Sequence, residues 1–227
     1  MVDILAFGSH PDDIEFGCGG ILCQTASEGK SIAMTHLTYG EKSSNGNLEK
    51  RREEAYHSAK IIGAEISFLT LKDSEIFDNK ENRIEIVKII RKYKPQLILA
   101  PFWKGEQNHP DHTASGKLAR IACRYARFPE ILPEIPPHTP GNILHYLPPF
   151  HQNPDFLIDV SKYVETWKSM MRCHTSQLKT YRYDEKYLQI SRSWGLAIDV
   201  AFAQGLIKGN PVQIRDIMTC SKGSREI

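Results

Sequence analysis

Two tetrapeptides hold the residues best suited to chemistry: His10-Pro11-Asp12-Asp13 and His109-Pro110-Asp111-His112. Imidazole nitrogen and carboxylate oxygen are both zinc donors, and a catalytic zinc takes three protein ligands and keeps a further position for water. His10 and Asp13 stand three residues apart, a spacing that lets both side chains converge in a tight turn or a first helical turn. His112 would complete a set of two histidines and one aspartate. Water on such an ion has its pKa lowered toward ~7. Asp12 cannot easily share the ligand role with its neighbour Asp13 and is better placed as the general base for that water. His109 is a candidate to stabilise an oxyanion or to protonate a leaving amine. Asp111 is a candidate to orient an imidazole. Zinc is the expected ion, although the same donor set suits Fe2+ or Co2+. Taken singly, each tetrapeptide also reads as a turn with a helix cap, because Pro and Asp favour turns and Asp favours helix starts.

Bringing the two segments together falls to the elements between them. Apolar runs at 2–7, 31–38, 66–71 and 96–100 read as strands, and 14–28, 48–62 and 81–93 as helices. Gly29 and Gly63 follow the first two helices as natural stops. Strands alternating with helices of this length predict βαβ units and an α/β fold with a mostly parallel sheet, covered on both faces. One tetrapeptide directly follows the first strand and the other follows the fourth after a loop. Ligands of such sheets bind beyond the C-terminal strand ends, so segments ~100 residues apart can share a site. Downstream, a helix is expected at 113–125, an irregular proline-rich crossover at 129–154 with a strand at 143–147, a strand at 156–160 and a helix at 163–178.

The 227 residues are read as one domain, 1–227, long enough to bury a core without staples. A formal net charge of +2 gives no electrostatic footprint for nucleic acid. Lys50, Arg51 and Arg52 lie among Glu49, Glu53 and Glu54, the pattern of a salt-laced helix face. Five cysteines with no CxxC pair speak against a disulfide framework and exclude a zinc ribbon. With no basic, apolar leader and no membrane-span candidate, a cytoplasmic protein with reduced thiols is expected.

The paired motifs resemble those of the PIG-L/LmbE-like zinc deacetylases, and within them the BshB-type deacetylases of bacillithiol synthesis. The similar stretches are AFGSHPDDIEFGCGG, LTYGEKSSNGNLEKRREEA, YKPQLILAPF, HPDHTASGKLA, FLIDVSKY, HTSQ and the terminal SREI, spanning nearly the full length. The resemblance implies a Rossmann-like three-layer αβα sandwich. It implies zinc on His10, Asp13 and His112, Asp12 as base, and His109 as the charge-stabilising histidine. It also implies substrate binding by Arg51, whose guanidinium could pair with a sugar hydroxyl or a carboxylate such as malate. The alternative for Arg51 is a solvated helix charge. The implied reaction is removal of an acetyl group from an N-acetylglucosamine-type small molecule, with N-acetylglucosaminyl malate as the specific substrate. The implied assembly is a homo-oligomer, frequently a hexamer. Two loops depart from the family pattern: 73–75 reads Asp-Ser-Glu where relatives tend to carry Asp-Arg-Gly, and 104–108 lacks the Asp-Arg usual before HPDH. Both are expected to border the pocket. They keep open another N-acetyl sugar, or amidase action on a thiol conjugate. A metal-binding protein without turnover is the alternative from another class.

Several other features are weighed and set aside. Gly17-Cys18-Gly19-Gly20 lacks the third glycine of a dinucleotide fingerprint, which would fall at Leu22, and is expected to allow close packing of the first helix on the sheet. Ser9 has no nucleophile-elbow context and reads as a loop residue. His174 could line the pocket or make a helix-end hydrogen bond. Trp103 could flank a sugar face or belong to the rim or core. His36, His57, His138, His145 and His151 have no partner at ligand spacing.

Overall fold

The structure, a computed structural model, describes residues 1–105, 108–147, 153–221 and 223. The SREI stretch, His151 and residues 106–107 of the loop ahead of His109 therefore lie outside the described residues, in whole or in part. In chain order the elements are β1 (Ile4–Gly8), α1 (Asp13–Ser27), β2 (Ile32–His36), α2 (Leu48–Ile61), β3 (Glu65–Phe68), α3 (Lys80–Tyr93) and β4 (Leu97–Pro101). There follow α4 (Pro110–Tyr125), β5 (Asn142–Tyr146), β6 (Phe156–Asp159), α5 (Val164–Arg172), α6 (Tyr183–Ala197) and β7 (Ala203–Lys208). The strands form one sheet in the order β3-β2-β1-β4-β5-β7-β6. The first five are parallel, and β7 runs antiparallel to both β5 and β6. This is the expected α/β three-layer fold with a mostly parallel sheet.

The central strands are apolar because both faces are covered. Leu5, Phe7 and Ile98 pack against Val87 and Ile90 of α3 and Leu118 of α4 on one face. Ala6, Met34 and Leu99 meet Cys18 and Leu22 of α1 and Ala59 of α2 on the other. A third cluster, Phe16, Cys23, Trp167, Met170 and Met171, seats α5 on the outside of α1. Asn47 and Asn79 cap α2 and α3, accepting from the backbone N–H of Lys50 and Asn82 at 2.8 Å each. Among the described residues no helix is long and apolar enough to cross a membrane. All five cysteines are free thiols.

Three features depart from the sequence expectation. The helix expected at 163–178 ends at Arg172, because Thr175 and Ser176 leave the helix to donate to the Glu54 carboxylate on α2. The helix expected from 113 starts at Pro110, so the second tetrapeptide forms the cap and first turn of α4. The α6–β7 pair had no counterpart in the sequence reading. The buried residues of α6 are Asp184, Ser191 and Gly195, so no apolar stripe announces that helix.

The glycine run does admit close packing. A Cβ on Gly17 would lie 2.2 Å from the Tyr146 ring, and one on Gly20 would lie 2.9 Å from the side-chain oxygen of Gln204. Gly19 serves a different contact, with Trp167 of α5 at 2.7 Å. The Tyr146 ring cannot easily yield, because its hydroxyl donates to the Phe7 carbonyl at 2.8 Å. Gly17→Ala is therefore expected to lower stability by about 1–3 kcal/mol through overpacking, read as a lower urea midpoint at unchanged slope.

Candidate metal and catalytic site

The C-terminal edge of the parallel strands carries the site. β1 ends at Gly8, and Ser9 then ties the chain to α4 by donating to Ser115 Oγ at 2.8 Å. His10 follows, with its ring 11% exposed. Its carbonyl accepts from His36 Nδ1–H at the end of β2, 3.0 Å away. Asp12 adopts φ 115°, a left-handed conformation that is strained for any residue but glycine. It precedes α1 at the cap position, yet its side chain makes no capping bond. That removes the simple helix-cap reading for this aspartate and leaves its carboxylate for the pocket.

The His10 imidazole is held on two sides. Its Nε2 lies 3.1 Å from Asp111 Oδ2 and 3.2 Å from Asp73 Oδ1. Its Nδ1 lies 3.5 Å from Asp13 Oδ2. Asp13 Oδ1 in turn faces His112 Nε2 at 2.9 Å. One nitrogen donor of His10, one of His112 and one oxygen of Asp13 lie within 4.8 Å of one another. Because Asp111 and Asp73 occupy the Nε2 side, Nδ1 is the nitrogen free to ligate. A ligating imidazole that donates its other N–H to a carboxylate is the usual second layer of a metal site. His10, His109 and Asp111 form an alternative grouping within the same limit. Asp111, however, already accepts from the backbone N–H of Ser74 at 2.7 Å and of Ile76 at 3.4 Å. The donors of His10, Asp13 and His112, two imidazoles and one carboxylate, fit a catalytic transition-metal ion.

The charges follow this packing. Burial disfavours the His10 imidazolium, but Asp111, Asp13 and Asp73 outweigh it and hold its pKa well above the usual histidine value. Burial pushes Asp13 up, but His112 and His10 outweigh it and keep its carboxyl well below the usual range. Asp12 goes the other way: burial pushes it up to about 6, against the pull of Arg51. His109 is held below the ordinary value by burial and by its histidine neighbours. Its Nδ1 accepts the Asp111 backbone N–H at 3.2 Å, which makes Nε2 the proton-bearing nitrogen.

Arg51 is not a solvated helix charge. It is 3% exposed and places Nη2 3.2 Å from Asp12 Oδ2. It also donates to the carbonyls of Pro11 and Gly40. A Cβ on Gly40, whose φ is +66°, would overlap the guanidinium, so glycine is required there twice over. His10, Asp12, Asp13, Arg51, Asp73, His109 and His112 all line a cavity of about 390 Å³, together with Phe16, Gln177, Tyr183 and Tyr187. Asp111 stands behind His10, 2% exposed.

Other residues fall differently. His174 is fully buried against Glu15, Nε2 to Oε1 2.9 Å, below the pocket rather than in its wall. Burial would raise the Glu15 carboxyl, but His174 outweighs it and draws it down to about 2. Trp103 packs against His145 in a tilted pair, ring centroids 4.2 Å apart, and does not line the cavity. Sequence reasoning missed the hold of Asp73 on His10, the His36 brace and the α6 tyrosines. The position of Asp73 just beyond a predicted parallel strand was the available signal for the first.

The family profile described as PIG-L, GlcNAc-PI de-N-acetylase, matches residues 5–123, which hold both tetrapeptides and Arg51. The chain belongs to the PIG-L family. Its enzyme class is hydrolytic N-deacetylation. A diacetylchitobiose deacetylase of Thermococcus kodakarensis is 29% identical over 220 residues, covering 89% of this chain and 81% of that protein. A probable N-acetyl-alpha-D-glucosaminyl L-malate deacetylase of Bacillus subtilis is 29% identical over 143 residues, covering 57% of this chain and 64% of its own. The crystal structure of the conserved protein TT1542 from Thermus thermophilus superposes with a TM-score of 0.89 at 29% identity, covering 96% and 99% of the two chains.

The raised pKa of His10 fixes the sign of a pH effect on this PIG-L site. Below that pKa a metal ion must displace the proton, so affinity is expected to climb with pH by about tenfold per unit until the imidazole is neutral. Competition against a chromogenic chelator between about pH 5 and 8, the range over which histidine changes charge, measures it; a flat profile would show that His10 is not a ligand.

Proposed function

We propose that this PIG-L protein is a zinc-dependent deacetylase of an N-acetylglucosamine conjugate, with N-acetylglucosaminyl malate as its substrate. The observation that carries the reading is the convergence of His10, Asp13 and His112 within 4.8 Å, beside a fourth carboxylate, Asp12, in the same cavity. His10, Asp13 and His112 would hold zinc, which when bound would supply Lewis-acid polarisation and lower the pKa of water toward ~7. Asp111 and Asp73 hold the Nε2 side of the His10 ring and leave Nδ1 on the Asp13 side, where it would be available to ligate. Asp12, with its pKa at about 6, is ionised at neutral pH yet basic enough to take the proton of the attacking water. Arg51 keeps that carboxylate charged despite its burial. His109, neutral with its proton on Nε2, donates to the oxyanion as the acetyl carbon becomes tetrahedral. Collapse breaks the C–N bond and releases acetate and the sugar amine, with the proton from water passing to the amine. A site built only to hold a metal has no use for a spare carboxylate at this position.

The malate assignment is supported by the Bacillus subtilis relative and by Lys42, an exposed cation in the pocket wall that pairs with Glu75 at 2.6 Å and suits a carboxylate. A mass-spectrometric assay of the zinc-loaded protein with N-acetylglucosaminyl malate, diacetylchitobiose and free N-acetylglucosamine, beside a chelated control, tests it. Metal-dependent acetate loss fastest from the malate conjugate is expected; loss fastest from diacetylchitobiose would reassign the substrate. Asp12→Asn is expected to cut kcat by about 10²–10⁴-fold while zinc content is retained. Loss of zinc instead would make Asp12 a ligand. Arg51→Met removes the charge that lowers the Asp12 pKa, so the acidic limb of the kcat–pH profile is expected to move to higher pH.

A further inference from the structure

A second cavity, of about 560 Å³, lies at the other end of the sheet, beside Asn142 at the start of β5. Its wall carries three guanidinium groups. Arg120 and Arg124 are on the last two turns of α4 and Arg127 lies just beyond it, at intervals of four and three that put them on one side of the helix. Thr139, Asn142 and Asn210 supply the remaining polar groups, and no carboxylate lines the cavity. None of the three arginines makes an ion pair among the described residues. Arg120 is also partly withdrawn from water. Its guanidinium carbon stacks 4.3 Å from the Trp103 ring centroid, and its Nη1 is buried with no hydrogen-bond partner. Burial correspondingly disfavours its charged form.

Three like charges in one concavity, with no carboxylate among them, repel one another. A multiply charged oxyanion in the cavity relieves that repulsion, since guanidinium groups bind phosphate and carboxylate through paired, charge-assisted hydrogen bonds. We propose that the Arg120–Arg124–Arg127 cavity is a binding site for a small oxyanion ligand, bearing phosphate or clustered carboxylates, separate from the deacetylase pocket. The pocket opens past the C-terminal ends of β1 and β4, whereas this cavity opens at the N-terminal end of β5.

Isothermal titration of zinc-loaded protein in phosphate-free buffer, with inorganic phosphate and citrate in separate runs, tests the proposal and separates the two chemistries. Saturable binding with Kd below about 1 mM is expected for at least one of them, weakened at least about tenfold in R124Q/R127Q and in R120Q. The stronger anion identifies the ligand chemistry. Arg124 and Arg127 are exposed, so the double variant remains informative even if R120Q, which loses the Trp103 stack, does not fold. No binding of either anion up to about 10 mM, or affinity unchanged in R124Q/R127Q, would overturn it.

Discussion

The site depends on one electrostatic constraint: a buried imidazole surrounded by carboxylates from three separate loops. His10 meets Asp13 from its own turn, Asp73 from beyond β3 and Asp111 from the first turn of α4. Isolated buried charges are prohibitively costly, and such groups persist only when paired and hydrogen-bonded. Each carboxylate here has that support. Asp111 takes two backbone N–H groups, Asp73 takes the Lys42 N–H at 2.9 Å, and Asp13 takes the His10 N–H at 2.8 Å. These segments are thus held to one another through one ring, whose Nδ1 remains on the Asp13 side.

Asp12 and Asp13 show how backbone conformation divides labour between neighbours. Two adjacent carboxylates in one polar pocket would ordinarily titrate alike. The left-handed turn at Asp12 sends its side chain toward Arg51, while Asp13 enters α1 facing His112. One is left at about 6 and the other far lower, the kind of separation by which two neighbouring carboxylates can take different chemical roles. The strain at Asp12 is tolerated because the surrounding contacts over-determine it: the carbonyl of Pro11 is bound by Arg51 and that of His10 by His36.

A second layer ties the C-terminal half of the chain to this centre. Glu15 meets His174 in a fully buried pair one turn into α1. Glu54, on the helix that carries Arg51, receives Thr175 Oγ1, Ser176 N and Ser176 Oγ, all within 2.8 Å. These bonds fix the segment leading to Gln177 and to the α6 tyrosines in the cavity wall. The glycine face of α1 makes the arrangement possible by letting Tyr146 and Trp167 approach the helix backbone.

The sequence by itself determined the parallel βαβ frame, the placement of both tetrapeptides at strand ends, and a donor set suited to a metal. Those properties are local or periodic: apolar runs, helix stops and residue types at fixed spacing. Tertiary structure alone decided the rest. That Asp73 and Asp111 share the Nε2 side of His10, that Arg51 reaches Asp12 rather than solvent, and that His174 turns to Glu15 instead of the pocket are contacts across 39 to 159 residues with no spacing signature. The antiparallel β7 was invisible for a related reason. It is a short strand, Ala203–Lys208, with Gly205 at its centre, preceded by a helix whose buried side is polar or small. Its place between β5 and β6 comes from pairing partners that exist only once the sheet has formed.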